Sequence, residues 1–576
     1  MLTAAMLINF SGCSAPEASS TSSETQESQQ SSVSSTEDVT SDNSEAVKEE
    51  SSTPAVTTSV TSKTETSTQQ STSAQPEESE SSEPETEVST VPEDNTEVTT
   101  PSDSEESSAP QTENVTTTVQ TTTKPVTTTN EVPAESEPEE LDMMGQYEQK
   151  LDTLQKLIEK SSKSQTMPVV HITTYNNERV LSKEYYVDSV IDVFNCTEEY
   201  RLTAQGGVKV RGNSTADGNE KPYRIKFEKK QNMLGLHDGM KFKSWVLLRS
   251  QWNLIPDYTG FSLAEEIFDG EYYSSDSTYV NVYMNGKYLG LYLLCEQNQS
   301  GEGRVEVYEP EKDELQPEIG YFLEMDNYAN EDEDPFFTLD YDGIEFTDYV
   351  GTTRCFEPDD YSIKSDINSD VQKEFISKYL AGVFEIMYEA VENEKILMFD
   401  SDYNVVSGEG TYSTPKEAVN TVFDLDSVVN TMILQELVHN YDVGAGSFFM
   451  AVDFSEGSRY ERLTFLAPWD FNWAYSEETS GRYYAGAFQT PVHDMVERSN
   501  VWLTVIMKAD WFRDMLKEKW AEMGNGKDLV DKLKEVLQTA QSLENDLGNE
   551  SWKINSAKDI IAFVKGRIKW LDTQWS

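Results

Sequence analysis

The sequence predicts an α+β protein in which a β-rich lobe precedes a helical lobe. From Met167 onward, short runs rich in β-branched and aromatic residues indicate strands. After about residue 365 the apolar residues recur mainly with helical spacing. Residues 14–140 contain no Trp, Phe, Tyr, Leu, Ile or Gly, so they cannot bury enough apolar surface to offset chain entropy. The folded region is therefore expected to begin near residue 141.

The N-terminus has the pattern of a lipoprotein signal. Residues 1–13, MLTAAMLINFSGC, form an apolar run that ends in small residues and Cys13, the residue that would be acylated after cleavage. No Lys or Arg precedes the run, and a chance apolar N-terminus with an unrelated cysteine is the alternative. Lipidation would anchor the chain at the extracellular face of a bacterial membrane. Residues 14–140, called the linker below, are then a disordered Ser/Thr/Glu/Pro-rich spacer.

Charge and cysteine content exclude several classes of function. The 576 residues include 104 Asp and Glu against 45 Lys and Arg, a formal charge of −59. A sequence-independent nucleic-acid binder needs Lys and Arg to replace phosphate counterions, so no nucleic-acid partner is expected. With Cys13 lipidated, three cysteines remain, which is too few for a disulfide framework. The four His lack the spacing of a structural zinc site.

The elements of the folded region follow in order. Residues 141–166 predict an amphipathic helix, which is either an oligomer neck or a helix that packs on the next domain. Strands are predicted in VVHIT, YYVDSVIDVF, GVKVRG, PYRIKFEKK and SWVLL. A hairpin turns at Asn285-Gly286 between residues 279–284 and 288–294. Helices are predicted over residues 373–391, 425–440 and 559–575.

The most basic segment is residues 209–230, where a small-residue loop leads into a strand. Arg224 and Lys226 alternate onto one face of that strand. Positive groups on a rigid strand could hold a polyphosphate. A solvated outer strand face would show the same pattern, and the residues alone favour that interpretation.

Three carboxylates are placed where they could take part in chemistry. Asp442 lies on a glycine-bearing loop between a helix and a strand, a position that suits a catalytic carboxylate. Asp470 is the lone charge in the apolar segment 463–475, where a buried carboxylate is costly unless it is paired or binds a metal; a helix-capping Asp is the alternative. Glu296 ends an apolar strand and could pair with a cation, ligate a metal or be an ordinary strand-end charge. Two aspartates on successive loops also fit the kinase plan, although GxGxxG, HRD and DFG are absent.

Seven segments, in this order and spacing, resemble the spore coat protein CotH kinase family. They are RGNST, KPYRIKF, NGKYLGLYLLCEQ, GYFLEMD, QELVHNYD, PWDFNWA and IKWLDTQW. The resemblance extends over residues 167–576, which we take as one CotH kinase-like domain. It implies a divergent, bilobal protein-kinase-like fold that holds ATP and Mg²⁺ or Mn²⁺ between the lobes. Active family members phosphorylate Ser and Thr of proteins outside the cytosol.

By position, the resemblance makes Asp442 the catalytic aspartate and Asp470 the metal-binding aspartate. Lys226, with Arg211 and Arg224, would face the phosphates, and Glu296 would be a further carboxylate near that cation or the metal. Two departures concern the metal. Asn472 replaces the second Asp of the usual Asp-Phe-Asp, so it offers a carbonyl oxygen without charge. Ser447 stands where an ordinary kinase has its second metal-binding Asn.

Three functions are consistent with these patterns. The first is a surface-anchored atypical kinase that transfers the γ-phosphate of ATP to exported proteins, its own linker included. The second is a non-catalytic CotH-like module for adhesion or for assembly of extracellular complexes. The third is a polysaccharide-binding protein, because aromatic-rich domains on Ser/Thr-rich stalks suit sugar surfaces.

Overall fold

The computed structural model describes residues 142–161, 167–212, 214–249, 253–326, 328–330, 334–349, 351–440, 442–444, 446–472, 474–475, 500–547 and 556–575. All of them belong to one compact unit that spans residues 128–576. The predicted signal with Cys13 and the linker lie outside the described residues. The described chain is mixed α+β, as the sequence predicts.

The β-rich part is a closed seven-stranded barrel. Its strands are β1 (Val169–Thr174), β2 (Val187–Phe194), β3 (Leu202–Val210), β4 (Tyr223–Gln231), β5 (Phe242–Leu248), β6 (Ser277–Met284) and β7 (Lys287–Glu296). They follow the order β1-β2-β3-β4-β5-β7-β6, and a parallel pairing of β1 with β6 closes the barrel. Closure leaves no exposed barrel edge.

Alternation along the strands separates the barrel core from its outer face. On β4, Ile225 and Phe227 are buried in the interior with Trp245, whereas Arg224 and Lys226 lie on the outer face. The predicted alternation of the basic strand is therefore present. The hairpin between β6 and β7 turns at Asn285-Gly286, both with positive φ, as its Asn-Gly sequence predicts.

A second sheet of five strands has the order β16-β15-β8-β12-β9. Its strands are β8 (Gly320–Met325), β9 (Phe336–Leu339), β12 (Asp359–Ile363), β15 (Phe448–Asp453) and β16 (Thr464–Phe465). Two small hairpins pair β10 (Glu345–Thr347) with β11 (Thr353–Cys355), and β13 (Leu397–Phe399) with β14 (Val405–Ser407). This sheet combines strands from before and after the central helices, so the order of strands first and helices later is not strict; β15 is the strand predicted after the loop of Asp442. Strands β8 and β15 are buried on nearly every residue, so they lack the alternation that distinguishes a strand.

Helices surround this sheet and one side of the barrel. They are α1 (Met143–Ser161), α2 (Ser214–Asp217), α3 (Ile255–Phe268), α4 (Asp370–Glu392), α5 (Pro415–Val419), α6 (Leu425–Val438), α7 (Val501–Ile506), α8 (Asp510–Glu522), α9 (Lys527–Leu547) and α10 (Ala557–Trp575). The predicted helices correspond to α4, α6 and α10. Helix α3, which packs against α6 and α9, was not predicted. It is buried on most sides and so shows no apolar stripe.

Helix α1 packs on the barrel. The Tyr147 hydroxyl donates to Asp192 on β2, and Leu154 is buried near the hairpin turn at Gly286. Of the two arrangements considered for this helix, the structure therefore has the one in which it packs on the domain that follows.

No helix in the described part of the chain is both long and apolar enough to cross a membrane. Cys196, Cys295 and Cys355 are free thiols.

Candidate active site

The end of helix α6 positions the loop that contains Asp442. His439 takes a left-handed conformation with φ 60°, which ends the helix, and the buried Asn440 follows it. Asn440 Oδ1 accepts a hydrogen bond from the Asp442 amide at 3.3 Å, and its Nδ2 donates to the backbone oxygen of Asp470 at 3.0 Å. One buried amide therefore joins the two loops that the sequence predicts to be functional. Sequence reasoning did not identify Asn440.

Asp470 lies in a tightly held segment that follows the five-stranded sheet. Its backbone is left-handed with φ 57°, a conformation that is uncommon for a residue other than Gly and clusters at functional sites. Asn472 donates its side-chain amide to Asp470 Oδ1. On the other side, the Phe471 amide donates to Asp257 Oδ1 at 3.0 Å.

Asp257 is a third aspartate at the site, and sequence reasoning missed it. It lies in the first turn of helix α3 and is 8% exposed. Burial raises its pKa to about 7 and the charge of Asp470 adds to this, while the Phe471 amide and Arg211 act in the opposite direction. Nothing in the segment IPDYTG distinguishes this Asp from a helix-capping residue, so only the tertiary structure reveals it.

Asp257, Asp442 and Asp470, here called the carboxylate cluster, are short of positive charge. Burial raises the pKa of Asp442 to about 8, and the charge of Asp470 adds to this. Burial also raises the pKa of Asp470, although Arg211 opposes it. Solvent still reaches Asp442 and Asp470, which are half-buried. Such a site favours either protons or a bound cation.

Two predicted arginines lie together on the barrel, and one of them, Arg211, is close to the carboxylate cluster. Arg211 directly follows β3, and its guanidinium carbon lies 5.6 Å from the centroid of the Trp469 ring. Arg224 lies next to it on the outer face of the barrel. Burial lowers the pKa of Arg224, and the positive charges of Arg211 and Arg304 lower it further. Its Nε is buried without a hydrogen-bond partner among the described residues, so this group could still bind an anion.

Comparison with models of protein families matches residues 208–571 to the family described as CotH kinase protein. The chain belongs to the CotH kinase family. This confirms the resemblance that the sequence motifs indicate. The matched CotH region begins in β3 and ends in α10, so it includes the carboxylate cluster, Arg211 and Arg224. No curated protein matches the chain.

The structure shows the partners of Lys226 and Glu296, which the CotH resemblance places near the phosphates. Lys226 is exposed, and its ammonium lies 5.9 Å from the centroid of the Tyr186 ring. Glu296 is fully buried, with one carboxylate oxygen 3.1 Å from His237 Nδ1 and the other 3.6 Å from Arg304 Nε. Its hydrogen bond raises the pKa of His237. Glu296 was predicted to pair with a cation, to ligate a metal or to be an ordinary strand-end charge. In the structure it pairs with His237 and Arg304, neither of which lies on the basic strand β4.

The donor set fits Mg²⁺ or Mn²⁺ only if phosphate and water complete the coordination. The described residues contain no group of three or more His, Cys, Asp and Glu side chains arranged to hold a metal. Mg²⁺ commonly takes one or two carboxylates together with substrate phosphates and waters. Asp470 would supply the carboxylate, and Asn472, whose side chain contacts it, would supply the amide oxygen. Ser447, which stands where an ordinary kinase has its second metal-binding Asn, takes a left-handed conformation with φ 53°.

The lack of positive charge around the carboxylate cluster predicts how the free energy of unfolding depends on pH. The pKa of Asp442 is about 8 in the folded protein and 3.8 ordinarily, so between these values the folded state binds more protons than the unfolded state. The free energy of unfolding should therefore decrease as pH rises from about 4 to about 8. Thermal unfolding in a chelator should show a Tm that falls over this range, and Asp442→Asn should flatten the fall. Asp531→Asn, at an exposed site, is the control. If the Tm of Asp442→Asn fell with pH as steeply as the Tm of wild type, Asp442 would not be the source of the pH dependence.

Proposed function

We propose that this chain is a surface-anchored, atypical protein kinase that transfers the γ-phosphate of ATP to Ser and Thr of exported proteins. The main support is that Asn440 joins the loops of Asp442 and Asp470 beside Arg211, in a member of the CotH kinase family. Incubation of the full chain with γ-labelled ATP and Mg²⁺ or Mn²⁺ tests this, with label expected on Ser or Thr.

In this proposal the molecule is bilobal in the manner of a protein kinase. The barrel would form one lobe, and the five-stranded sheet with its helices would form the other. The distribution of the site residues supports this division. Arg211 and Arg224 come from the barrel, whereas Asp442 and Asp470 come from the helical part.

The residues have distinct tasks in the transfer. Arg211 and Arg224 would bind phosphate oxygens, and Asp470 with Asn472 would hold Mg²⁺ or Mn²⁺. When bound, that cation neutralises charge on the triphosphate. Asp442 would orient the acceptor hydroxyl and take its proton. The hydroxyl oxygen bonds to the γ-phosphorus as the bond to the β-phosphate oxygen breaks, and ADP leaves.

A second candidate is the non-catalytic CotH-like module. It is favoured by Asn472, which replaces an expected carboxylate and donates its amide to Asp470. Calorimetry with ATP and Mn²⁺ separates the two candidates, because a module for adhesion alone has no need of metal-dependent nucleotide binding.

Localisation follows from Cys13 in this proposal. Acylation of that cysteine would hold the kinase on the extracellular face of the bacterial membrane, with exported proteins within reach of the linker. Fatty-acid labelling of the wild-type chain that is absent from Cys13→Ala tests the anchor. Labelling of both chains would reject it.

The linker is a candidate substrate because of where helix α1 begins. Gln146 in its first turn donates to Asn176, just past the end of β1, at 2.9 Å. Strands β1 and β3 are both antiparallel to β2, so they end at the same end of the barrel, and Arg211 directly follows β3. The chain therefore enters the domain at the barrel end that has Arg211. The composition of the linker predicts an unstructured chain, and tethering such a chain at this end would give its Ser and Thr a high effective concentration.

Deletion of residues 14–140 is expected to abolish self-labelling. Transfer to an added Ser-rich protein should persist, because the deletion leaves the carboxylate cluster intact. Phosphate incorporation per chain, measured against full-length protein at equal concentration, provides the comparison. Undiminished self-labelling of the deleted chain would exclude the linker as the substrate.

A further inference from the structure

We propose that Asp257 is a positioning residue that orients Asp470 by holding the peptide bond between Asp470 and Phe471. This inference rests on the proposed function, in which Asp470 holds a cation against phosphate. Asp257 itself would touch neither the phosphate nor the cation.

The peptide group between Asp470 and Phe471 is held at both ends by side chains. Its carbonyl oxygen accepts from Asn440 Nδ2 at 3.0 Å, and its N–H donates to Asp257 Oδ1 at 3.0 Å. Asn440 follows helix α6, and Asp257 lies in the first turn of helix α3. Two rigid elements therefore fix the plane of one peptide group, and that plane sets the direction of the Asp470 side chain.

Helix α3 also holds the residues on both sides of Asp470. The ring centroid of Phe261 lies 5.3 Å from that of Trp469 and 5.7 Å from that of Phe471. Gly260 leaves room for the Phe471 ring, because a Cβ at this position would overlap it. The segment is thus seated on the helix, and the Asp257 hydrogen bond sets its orientation there.

The environment explains why an acceptor is needed at position 257. Phe471 is fully buried, so its N–H would lack a partner without Asp257. The left-handed backbone of Asp470 turns this N–H away from regular sheet pairing and toward the helix. What the site requires from residue 257 is an oxygen acceptor of this size, which an amide can also supply.

The test compares three variants of the full chain. Asp257→Ala removes the acceptor, and Asp257→Asn keeps an oxygen at the same place. The matched control is Thr259→Val on the same helix, because Thr259 is fully buried and its hydroxyl has no partner among the described residues. The first readout is hydrogen exchange in peptides spanning residues 467–475. The second is calorimetric binding of Mn²⁺ in the presence of a non-hydrolysable ATP analogue, and the third is kcat and KM for ATP.

Asp257→Ala should accelerate exchange of the Phe471 amide, weaken Mn²⁺ binding by about tenfold and lower kcat by about 100-fold. Asp257→Asn should restore protection and most of the rate, and Thr259→Val should behave as wild type.

Unchanged exchange in Asp257→Ala would overturn the proposal. The proposal would also be overturned if Asp257→Asn kept wild-type exchange but were as inactive as Asp257→Ala. That result would mean that the charge of Asp257 acts directly in the reaction. If the wild-type chain transfers no phosphate, the proposed function fails, while the exchange comparison still decides whether Asp257 holds this peptide group.

Discussion

Asp470→Asn is expected to lower the rate of phosphate transfer by about 10³-fold. The substitution preserves the shape of the side chain but removes the charge that would hold the cation against the triphosphate. Mn²⁺ titrations of the rate should show that the apparent metal affinity falls together with the maximal rate.

Asp442→Asn should lower the rate by a similar factor through a different step. This variant loses the group that orients and deprotonates the hydroxyl, so kcat falls while the affinity for the metal–nucleotide complex changes less. Asp426→Asn, an exposed Asp on the neighbouring helix α6, is the control and should retain the wild-type rate. Near-normal rates in both Asp470→Asn and Asp442→Asn would remove the carboxylate cluster from the reaction.

Arg567→Met is expected to destabilise the protein by about 3–5 kcal/mol. Arg567 on helix α10 is 4% exposed, and its Nη2 lies 2.7 Å from Glu436 Oε2 on helix α6. Its Nε also donates to the backbone oxygen of Glu436 at 3.0 Å. Burial raises the pKa of Glu436 well above its ordinary value, and Arg567 opposes this. Without Arg567, a fully buried carboxylate loses its ion-pair partner.

Urea unfolding of the full chain measures this effect. Lys534→Met is the matched control, because its ion pair with Asp531 is exposed and should contribute little to stability. The double variant Glu436→Met/Arg567→Met should recover much of the loss, since two apolar side chains need no charge partner. A single Arg567→Met variant within about 1 kcal/mol of wild type would contradict the importance of this pair.

The sequence predicts the barrel better than the rest of the fold. Strand β4 alternates between buried and more exposed residues, and an Asn-Gly turn joins β6 to β7, so both signals are visible along the chain. Helix α3 and strand β8 are buried on most sides, so their apolar residues show no distinguishing period. Tertiary contacts determine whether these segments form a helix or a strand.

The same limit applies to the site. Asp470 is recognisable because it is a lone charge among apolar residues, and Asp442 because it lies on a glycine-bearing loop. Asn440 and Asp257 matter through hydrogen bonds to residues 30 and 214 positions away, which no local pattern encodes. Strand alternation puts Arg224 and Lys226 on one face, but it does not reveal that Lys226 lies beside Tyr186.

Transfer of label from γ-labelled ATP to the full chain tests the central claim most directly. Wild type should acquire phosphoserine or phosphothreonine in the presence of Mg²⁺ or Mn²⁺, with no label in a chelator. Asp442→Ala and Asp470→Ala should each abolish the signal while retaining the wild-type Tm to within a few degrees. Equal labelling of wild type and both variants would contradict the claim, as would a folded wild-type chain that neither transfers phosphate nor binds ATP with either metal.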